Sequence, residues 1–270
     1  MANRAARFRA ERDRAATPPE RISDERGSAI LAHALHAARD PDAAARLRAE
    51  ADEGRFGEKA DEHRAAYVYL ALAMSSIDDD PEEADTLFHF AGHTFREVGQ
   101  LNRAADAYWR AGALAADAVA THGGTEARAA WAVRSFARAK VLYAEIGESD
   151  RSDRMHMLEW EARRLTGAHP ITALWGATCR YGTDLGRWLV WLVAIVAVYA
   201  IAYQAWAGDF ADAQHTWSWG VSAAYAAIAG VGDHEPETSW AQLLATSNVV
   251  VMYVMLAIGA TILGRRVLGR

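Results

Sequence analysis

The sequence predicts an all-α protein in two parts, a soluble helical region followed by a shorter membrane region with two spanning helices. Three observations support this prediction. Charged side chains crowd residues 1–165, whereas residues 188–206 and 249–263 contain none. Leu, Tyr, Phe and Trp recur at helical spacing from Ser28 to Leu165, in an Ala-rich context with almost no β-branched runs. The mean hydropathy of −0.13 therefore averages over two unlike parts.

The bulk composition argues against several classes of protein. A net charge of −6, with Arg, Asp and Glu interspersed, leaves no basic stripe of the kind that binds nucleic acid. The single cysteine, Cys179, cannot form an intrachain disulfide, which fits a reducing compartment. No nucleophile constellation, P-loop or dinucleotide-binding glycine pattern is visible, so we expect no enzyme, no catalytic residues and no cofactor. His89 and His93 are spaced like metal ligands, but no adjacent glutamate completes the pattern, and we expect packing roles and no metal.

Residues 1–27 are rich in Arg and acidic residues, contain Pro18 and Pro19, and carry few apolar side chains. This composition predicts a mobile charged tail. We expect no export signal here, because an apolar run of about 7 to 15 residues after a basic start is missing.

Three segments of the helical region, residues 28–165, share one pattern. Each opens with an aromatic residue, and Glu follows two positions later. Gly or Ala comes two positions after the Glu, and Arg comes four positions after the Gly or Ala. The segments begin at Phe56, Phe95 and Tyr143, so the starts are 39 and 48 residues apart. These intervals are typical of helix-turn-helix repeats that stack into solenoids, with each helix expected to end at the Gly or Ala.

With Ala104, Ala105 and Tyr108 at small and aromatic packing positions, this region resembles tetratricopeptide-like repeats. The resemblance implies a cytoplasmic domain that binds a peptide or protein. A non-repetitive helical bundle is the alternative.

The membrane region begins after a predicted juxtamembrane linker at residues 166–187. The first span is predicted at residues 188–206 and the second at 243–263, since about nineteen apolar residues cross a hydrocarbon core of about 30 Å. Arginines precede the first span and follow the second, in the tail at 265–270, whereas the loop between the spans contains no Lys or Arg. The positive-inside rule therefore predicts a multi-pass protein of the cytoplasmic (inner) membrane with both termini in the cytoplasm.

Between the spans, residues 217–231 form another nearly uncharged stretch. About 15 residues are few for a third span, and a third crossing would place the final arginines outside. A re-entrant helix fits better, because non-helical backbone at membrane depth is tolerated where protein or water surrounds it.

Residues 228–236 then read IAGVGDHEP. Here residues 185–264 resemble the pore domain of tetrameric potassium channels and their two-helix prokaryotic relatives. That family has a short pore helix, the motif T-V-G-Y-G-D, Pro three positions after the Asp, and then Thr and an aromatic residue. The residues that match are Gly230, Gly232, Asp233, Pro236, Thr238 and Trp240.

The resemblance implies a homotetramer in a lipid bilayer that conducts a monovalent cation, K⁺ in the family, through a two-span pore domain at 188–264. It places the pore helix at 217–228 and the filter at 228–233. Glycine reaches the dihedrals that a carbonyl-lined filter requires, and Asp233 would concentrate cations at the outer mouth. The implied filter residues are Ile228, Ala229, Gly230, Val231, Gly232 and Asp233, and the implied outer-mouth supports are Pro236, Thr238 and Trp240.

Three filter positions depart from the family pattern. Ile228, Ala229 and Val231 replace its Thr, Val and Tyr, so the innermost hydroxyl and the bracing aromatic ring are absent and the selectivity stays open. Asn248 is a candidate either for the inner cavity or for a hydrogen bond to a neighbouring helix. Met252 stands where many relatives have a hinge glycine, so any hinge would lie lower, at Gly259.

The sequence thus predicts a cation-channel subunit gated or recruited through its helical repeats. Two alternatives stay open. One is a membrane-anchored adaptor in which the repeats bind a protein and the spans only anchor it. The other is an effector that depolarises the membrane of its host.

Overall fold

The computed structural model describes residues 2–19, 24–56, 61–165, 167, 170–211, 217–229 and 236–268. Across these residues the chain forms twelve α-helices and two 3₁₀ turns, and extended pairing is limited to an isolated bridge between Phe210 and Pro236. The predicted all-α class is confirmed. The chain divides into two compact units, Met1–Pro170 and Ile171–Arg270.

From Glu62 to Arg163, the helices of the first unit follow one another through short turns. Acidic or hydroxyl side chains accept hydrogen bonds from backbone N–H groups at several of their starts, which satisfies donors that have no partner inside the helix. Within the same residues, each helix packs against the next along the chain. In chain order they are α1 (Ala2–Ala16), α2 (Glu25–Ala37), α3 (Pro41–Phe56), α4 (Glu62–Ser76), α5 (Pro81–Glu97), α6 (Leu101–His122), α7 (Glu126–Glu145) and α8 (Ser149–Arg163).

The same turn closes α5 and α7, the helices that end in two of the three repeated segments. Gly99 has φ +75° and Gly147 has φ +79°, a left-handed conformation that glycine adopts without a Cβ clash. In both turns the residue after the glycine donates its N–H to the carbonyl of the aromatic residue that opens the segment, at 2.8 Å. The helix ends predicted at these glycines are confirmed, while residues 57–60 of the remaining segment lie outside the described residues.

Glycines also allow neighbouring helices of this unit to approach closely. A Cβ added at Gly92 in α5 would lie 3.1 Å from the ring of Tyr108 in α6. A Cβ at Gly112 in α6 would lie 3.0 Å from the ring of Phe136 in α7. Because both rings are fully or almost fully buried, these contacts are part of the core that joins successive helices.

The N-terminal residues differ from the mobile tail predicted for residues 1–27. Helix α1 packs against α6 and buries Phe8, Glu11 and Ala15, which are spaced three and four residues apart on one helical face. The prediction failed because this face holds a single large apolar side chain, so average hydropathy and apolar periodicity gave no signal.

The second unit contains four helices, α9 (Pro170–Cys179), α10 (Leu185–Ala205), α11 (Trp217–Ala229) and α12 (Ser239–Leu268). Helix α9 lies where the sequence predicts a linker. Between α9 and α10, Arg180, Tyr181 and Gly182 have φ values of 47°, 59° and 85°. The Tyr181 ring is buried against Gly176, where an added Cβ would come within 2.5 Å of it. This left-handed corner prevents α9 and α10 from forming one continuous helix.

Candidate pore region

Helices α10 and α12 are long and apolar enough to cross a membrane, at 21 residues for Leu185–Ala205 and 26 for Ser239–Gly264. They overlap the predicted spans. Only 11% and 22% of their most apolar windows are buried within the chain, unlike the core helices of a soluble protein. Their outward side chains would be costly to expose to water and suit contact with lipid or other protein chains. Exposed examples are Leu189, Val190, Val193, Val198, Ile201, Leu243, Val250, Tyr253, Val254 and Leu263.

Helix α11 lies against both of these long helices. Its thirteen residues extend for about 20 Å at 1.5 Å per residue, which is too short to cross a hydrocarbon core of about 30 Å. Its contact with α10 is close, because a Cβ at Gly220 would come within 2.7 Å of the carbonyl oxygen of Ala200. The helix predicted at 217–228 is therefore present, and the described residues are helical as far as Ala229.

The predicted filter is described only at its beginning. The backbone of Ile228 and Ala229 is helical. Ile228, which the sequence placed in both the pore helix and the filter, and Ala229, which it placed in the filter, therefore belong to α11. Neither side chain breaks a helix, so the local sequence allows α11 to continue to the first glycine. The remaining filter residues, Gly230, Val231, Gly232 and Asp233, lie outside the described residues.

The predicted outer-mouth residues lie where α12 begins. Pro236 pairs with Phe210 in the isolated bridge, and the N–H of Glu237 donates to the carbonyl of Asp209 at 2.9 Å. Thr238 Oγ1 accepts a hydrogen bond of 3.2 Å from the N–H of Ala241, which caps the first turn of α12. Trp240 is 73% exposed. These contacts fix the two ends of the segment that contains α11 and the Gly-x-Gly-Asp sequence.

An aromatic cluster, which the sequence analysis missed, holds the same region together. The ring centroids of Tyr203 and Phe210 are 5.4 Å apart, those of Phe210 and Trp219 are 5.7 Å apart, and those of Tyr203 and Trp219 are 6.1 Å apart. All three side chains are buried. They join the end of α10 to the start of α11, and only the high aromatic content on both sides of the loop signals them in the sequence.

Asn248 is fully buried in the middle of α12. Its Nδ2 lies 3.4 Å from Tyr203 Oη of α10 and 3.4 Å from the carbonyl oxygen of Ala224 in α11. These are long hydrogen bonds, and the side chain Oδ1 has no partner among the described residues. Within one chain, Asn248 thus has the geometry of an interhelical hydrogen-bond donor, the second of its two predicted roles.

Gly259, the predicted lower hinge, packs against an aromatic ring. A Cβ added there would lie 2.5 Å from the Trp188 ring of α10. Trp188 Nε1 donates a hydrogen bond of 2.9 Å to the carbonyl of Met255, one turn earlier in α12. Gly259 therefore provides the space that lets α10 and α12 approach, and Met252 is fully buried in the same helix.

The two histidines with metal-like spacing do not converge on one site. His89 Nε2 lies 2.7 Å from Arg138 Nη1, and its ring contacts Trp131 at a centroid distance of 4.5 Å. Burial, together with the positive charge of Arg138, lowers the pKa of His89 to about 4. His93 instead pairs with Glu97 at 3.1 Å. No group of three His, Cys, Asp or Glu side chains able to hold a metal occurs among the described residues.

No family model, curated protein or solved structure matches this chain, so the resemblance to channel pore domains rests on the residues described above.

Proposed function

We propose that the chain is one subunit of a homotetrameric cation channel, gated or recruited through its helical-repeat unit in the cytoplasm. The observation that supports this most strongly is α11. The thirteen described residues of this apolar helix are too few to cross a membrane, they contact two helices that are long enough to do so, and in the sequence they directly precede Gly-Val-Gly-Asp. A short helix that aims the following backbone at a central axis is what a carbonyl-lined filter requires.

One chain supplies one wall of such a pore, so conduction requires several copies around an axis. Gly230 and Gly232 would let successive carbonyl groups face that axis, and Asp233 from each copy would raise the local cation concentration. Val231 in place of the family's Tyr removes a ring that braces the filter. The proposed permeant ions are therefore monovalent cations, with potassium among them.

Cation flux into liposomes that contain the purified chain tests the proposal. Gly232→Asp would place an extra carboxylate and a Cβ in the filter, and we expect it to abolish or strongly reduce the flux. Gly208→Asp is the matched control, because Gly208 is exposed and an added Cβ would meet no atom within 4 Å. Absence of flux from wild-type protein under every condition, or equal flux from wild type and Gly232→Asp, would contradict conduction.

Single-channel recording with ion substitution measures selectivity directly. We expect unitary currents that persist when K⁺ is replaced by another monovalent cation, because the filter lacks the bracing aromatic ring. A strict preference for K⁺ would contradict this part of the proposal and would imply that other contacts brace the filter.

A membrane-anchored adaptor is the second candidate, and the size of the first unit favours it. Eight helices with a continuous buried core form the larger part of the described chain, and in this candidate function they bind a protein partner. The mass of the protein complex in non-ionic detergent gives the number of copies and so distinguishes the channel from the adaptor. We expect a tetramer for a channel, whereas a stable monomer or dimer would favour the adaptor.

A further inference from the structure

Helix α1 contacts the rest of its unit through one side. Each residue on this side lies three or four positions from another one, so together they form a stripe along the helix. The stripe combines charged and apolar side chains. Its members are Arg4, Arg7, Phe8, Glu11, Arg12 and Ala15.

The N-terminal half of the stripe bonds to the C-terminal half of α8. Arg4 Nη1 donates to the carbonyl of Arg164 at 2.9 Å, just beyond the end of α8. Arg7 forms an ion pair with Glu161, which is buried despite its charge. Because residue numbers rise along α1 while those of its partners fall, α1 runs antiparallel to α8.

The centre of the stripe is a buried carboxylate. Glu11 Oε2 accepts a hydrogen bond of 3.2 Å from Trp109 Nε1 of α6 and also pairs with Arg154 of α8. The Arg154 guanidinium stacks on the Trp109 ring at 5.6 Å from its centroid. One side chain of α1 therefore satisfies polar groups on two different helices, which fixes the position of α1 along both.

The C-terminal end of α1 is held by a buried arginine of α6. Arg110 donates to the carbonyl of Thr17 at 2.8 Å and to the carbonyl of Ala15, so it caps carbonyl groups that have no partner inside α1. Arg12 lies 3.9 Å from the buried carboxylate of Asp117 and forms a closer ion pair, at 3.0 Å, with the exposed Asp78. Helix α6 thus places a cation, Arg110, at the C-terminal end of α1 and an anion, Asp117, near Arg12.

These contacts are typical of a docked ligand more than of a core layer. Among the described residues of α1, only Phe8 belongs to the large apolar cluster of the unit. Apart from the buried Ala15, the remaining contacts are hydrogen bonds and ion pairs, and each ion pair with α6 or α8 joins a buried carboxylate to an arginine that stays partly exposed. Residues 2–16 contain five Arg and two acidic residues, and two of these arginines, Arg7 and Arg12, meet the acidic side chains of Glu161 and Asp117.

We infer that the face of α6 and α8 beneath α1 is a binding site for an arginine-rich amphipathic helix of a partner protein, and that α1 occupies this site within its own chain. We call this face the α6–α8 surface. It consists of Trp109, Arg110, Asp117, Arg154 and Glu161. The inference rests on the part of the proposed function that gives the first unit a binding role.

The contacts define the chemistry of the partner helix. It carries a large apolar residue, and three positions later a carboxylate that would bind Trp109 and Arg154. Arginines on the same stripe would pair with Glu161 and Asp117. A second copy of this chain is a weaker candidate, because exchange of α1 between copies replaces contacts with identical contacts and gains no free energy. A partner helix with this pattern would compete with α1 for the α6–α8 surface.

A fluorescent peptide of residues 2–17 is the probe. Its binding is measured by anisotropy, in non-ionic detergent, to the full chain and to a chain that lacks residues 2–17. We expect the peptide to bind the shortened chain at least tenfold more tightly, because the full chain holds α1 at high effective concentration. A shortened chain that keeps its helical circular dichroism and does not bind the peptide would overturn the inference.

Three peptide variants separate a specific stripe from general charge attraction. Phe8→Ala should weaken binding at least tenfold, and Arg7→Ala should weaken it several-fold through loss of the Glu161 pair. Arg9→Ala is the matched control, since Arg9 is exposed on α1 and has the same charge. Equal weakening by Arg7→Ala and Arg9→Ala would contradict a defined site.

Hydrogen exchange on the intact wild-type chain gives a result even if the shortened chain does not fold. We expect the amides of α1 to exchange at least tenfold faster than those of α6, because a docked helix opens without unfolding its site. Equal protection would make α1 part of the cooperative core and overturn the inference.

Energy transfer between two singly labelled populations would reveal exchange of α1 between copies, which would overturn the assignment to a partner protein. Since none of these measurements uses ion flux, a chain that binds the peptide without conducting would contradict the channel alone.

Discussion

At the scale of single residues, the contact of Gly259 with Trp188 sets the distance between α10 and α12. We expect Gly259→Ala to destabilise the second unit by about 1–3 kcal/mol, because the new Cβ would displace the indole and strain its hydrogen bond to Met255. Thermal unfolding in detergent measures the change. Gly264→Ala in the same helix is the control, since an added Cβ there would meet no atom within 4 Å. An equal effect of both substitutions would contradict the packing role of Gly259.

A second prediction at this scale concerns the pH dependence given by His89. Its pKa is lowered to about 4 in the folded chain, from 6.5 for the free side chain, so the unfolded state binds more protons between these values. Stability contributed by the neutral imidazole is therefore present above pH 6.5 and is lost as the pH falls towards 4. We expect His89→Gln, which keeps an acceptor for Arg138, to lose less stability than wild type between pH 7 and pH 5.

Denaturant unfolding at several pH values checks this expectation. His122→Gln is the control, because His122 is exposed at the end of α6, and this variant should follow the wild-type curve. Parallel curves for wild type and His89→Gln would show that the imidazole of His89 does not set the pH dependence.

At the scale of helices, the left-handed glycines that end α5 and α7 give a testable difference between two substitutions. Gly99 has φ +75° and open space around its absent Cβ, so any cost of substitution comes from the backbone and not from a clash. We expect Gly99→Val to lower the free energy of unfolding by about 1–2 kcal/mol, and Gly99→Asn to lower it by less, since Asn tolerates this conformation. Chemical denaturation of both variants measures how much unfolding free energy each one loses, and equal losses would contradict the backbone explanation.

These helix ends also show what the sequence alone could predict. Gly99 and Gly147 stand at a fixed distance from an aromatic residue, so local chemistry identified the ends of α5 and α7. Helix α1 was missed because its buried side holds Phe8 and a carboxylate whose partners lie about a hundred residues or more away in the sequence. Apolar periodicity reports burial in a core and gives no information about helices held by long-range ion pairs.

In the candidate pore region too, the sequence predicted the helices but not the contacts between them. Apolar runs with no charge predicted α10, α11 and α12 well, because each run exceeds what a loop of a soluble chain would contain. The partners of Asn248 and the cluster of Tyr203, Phe210 and Trp219 depend on which helix faces meet, and a single sequence does not specify that. The role of Gly259 changed from hinge to packing surface for the same reason, since Trp188 lies about seventy residues earlier.

At the scale of the whole molecule, the proposed topology predicts which positions react from outside the cell. In a Cys179→Ser background, we expect Gly208→Cys to react with a membrane-impermeant maleimide on intact cells, because the proposed topology places the loop between the spans outside. Ser149→Cys, exposed at the start of α8, should react only after permeabilisation. Labelling of Ser149→Cys on intact cells, with protection of Gly208→Cys, would reverse the orientation.

The left-handed corner between α9 and α10 has a consequence for how such chains diverge over evolutionary time. Tyr181 fills the volume that a side chain at position 176 would occupy, so neither position can change freely while the other stays the same. Among related chains, we expect Gly176 to be kept wherever position 181 is aromatic. We expect both residues to be replaced together where α9 and α10 form one continuous helix. The pair would then mark, in an alignment, the chains that enter their first long apolar helix at the same angle.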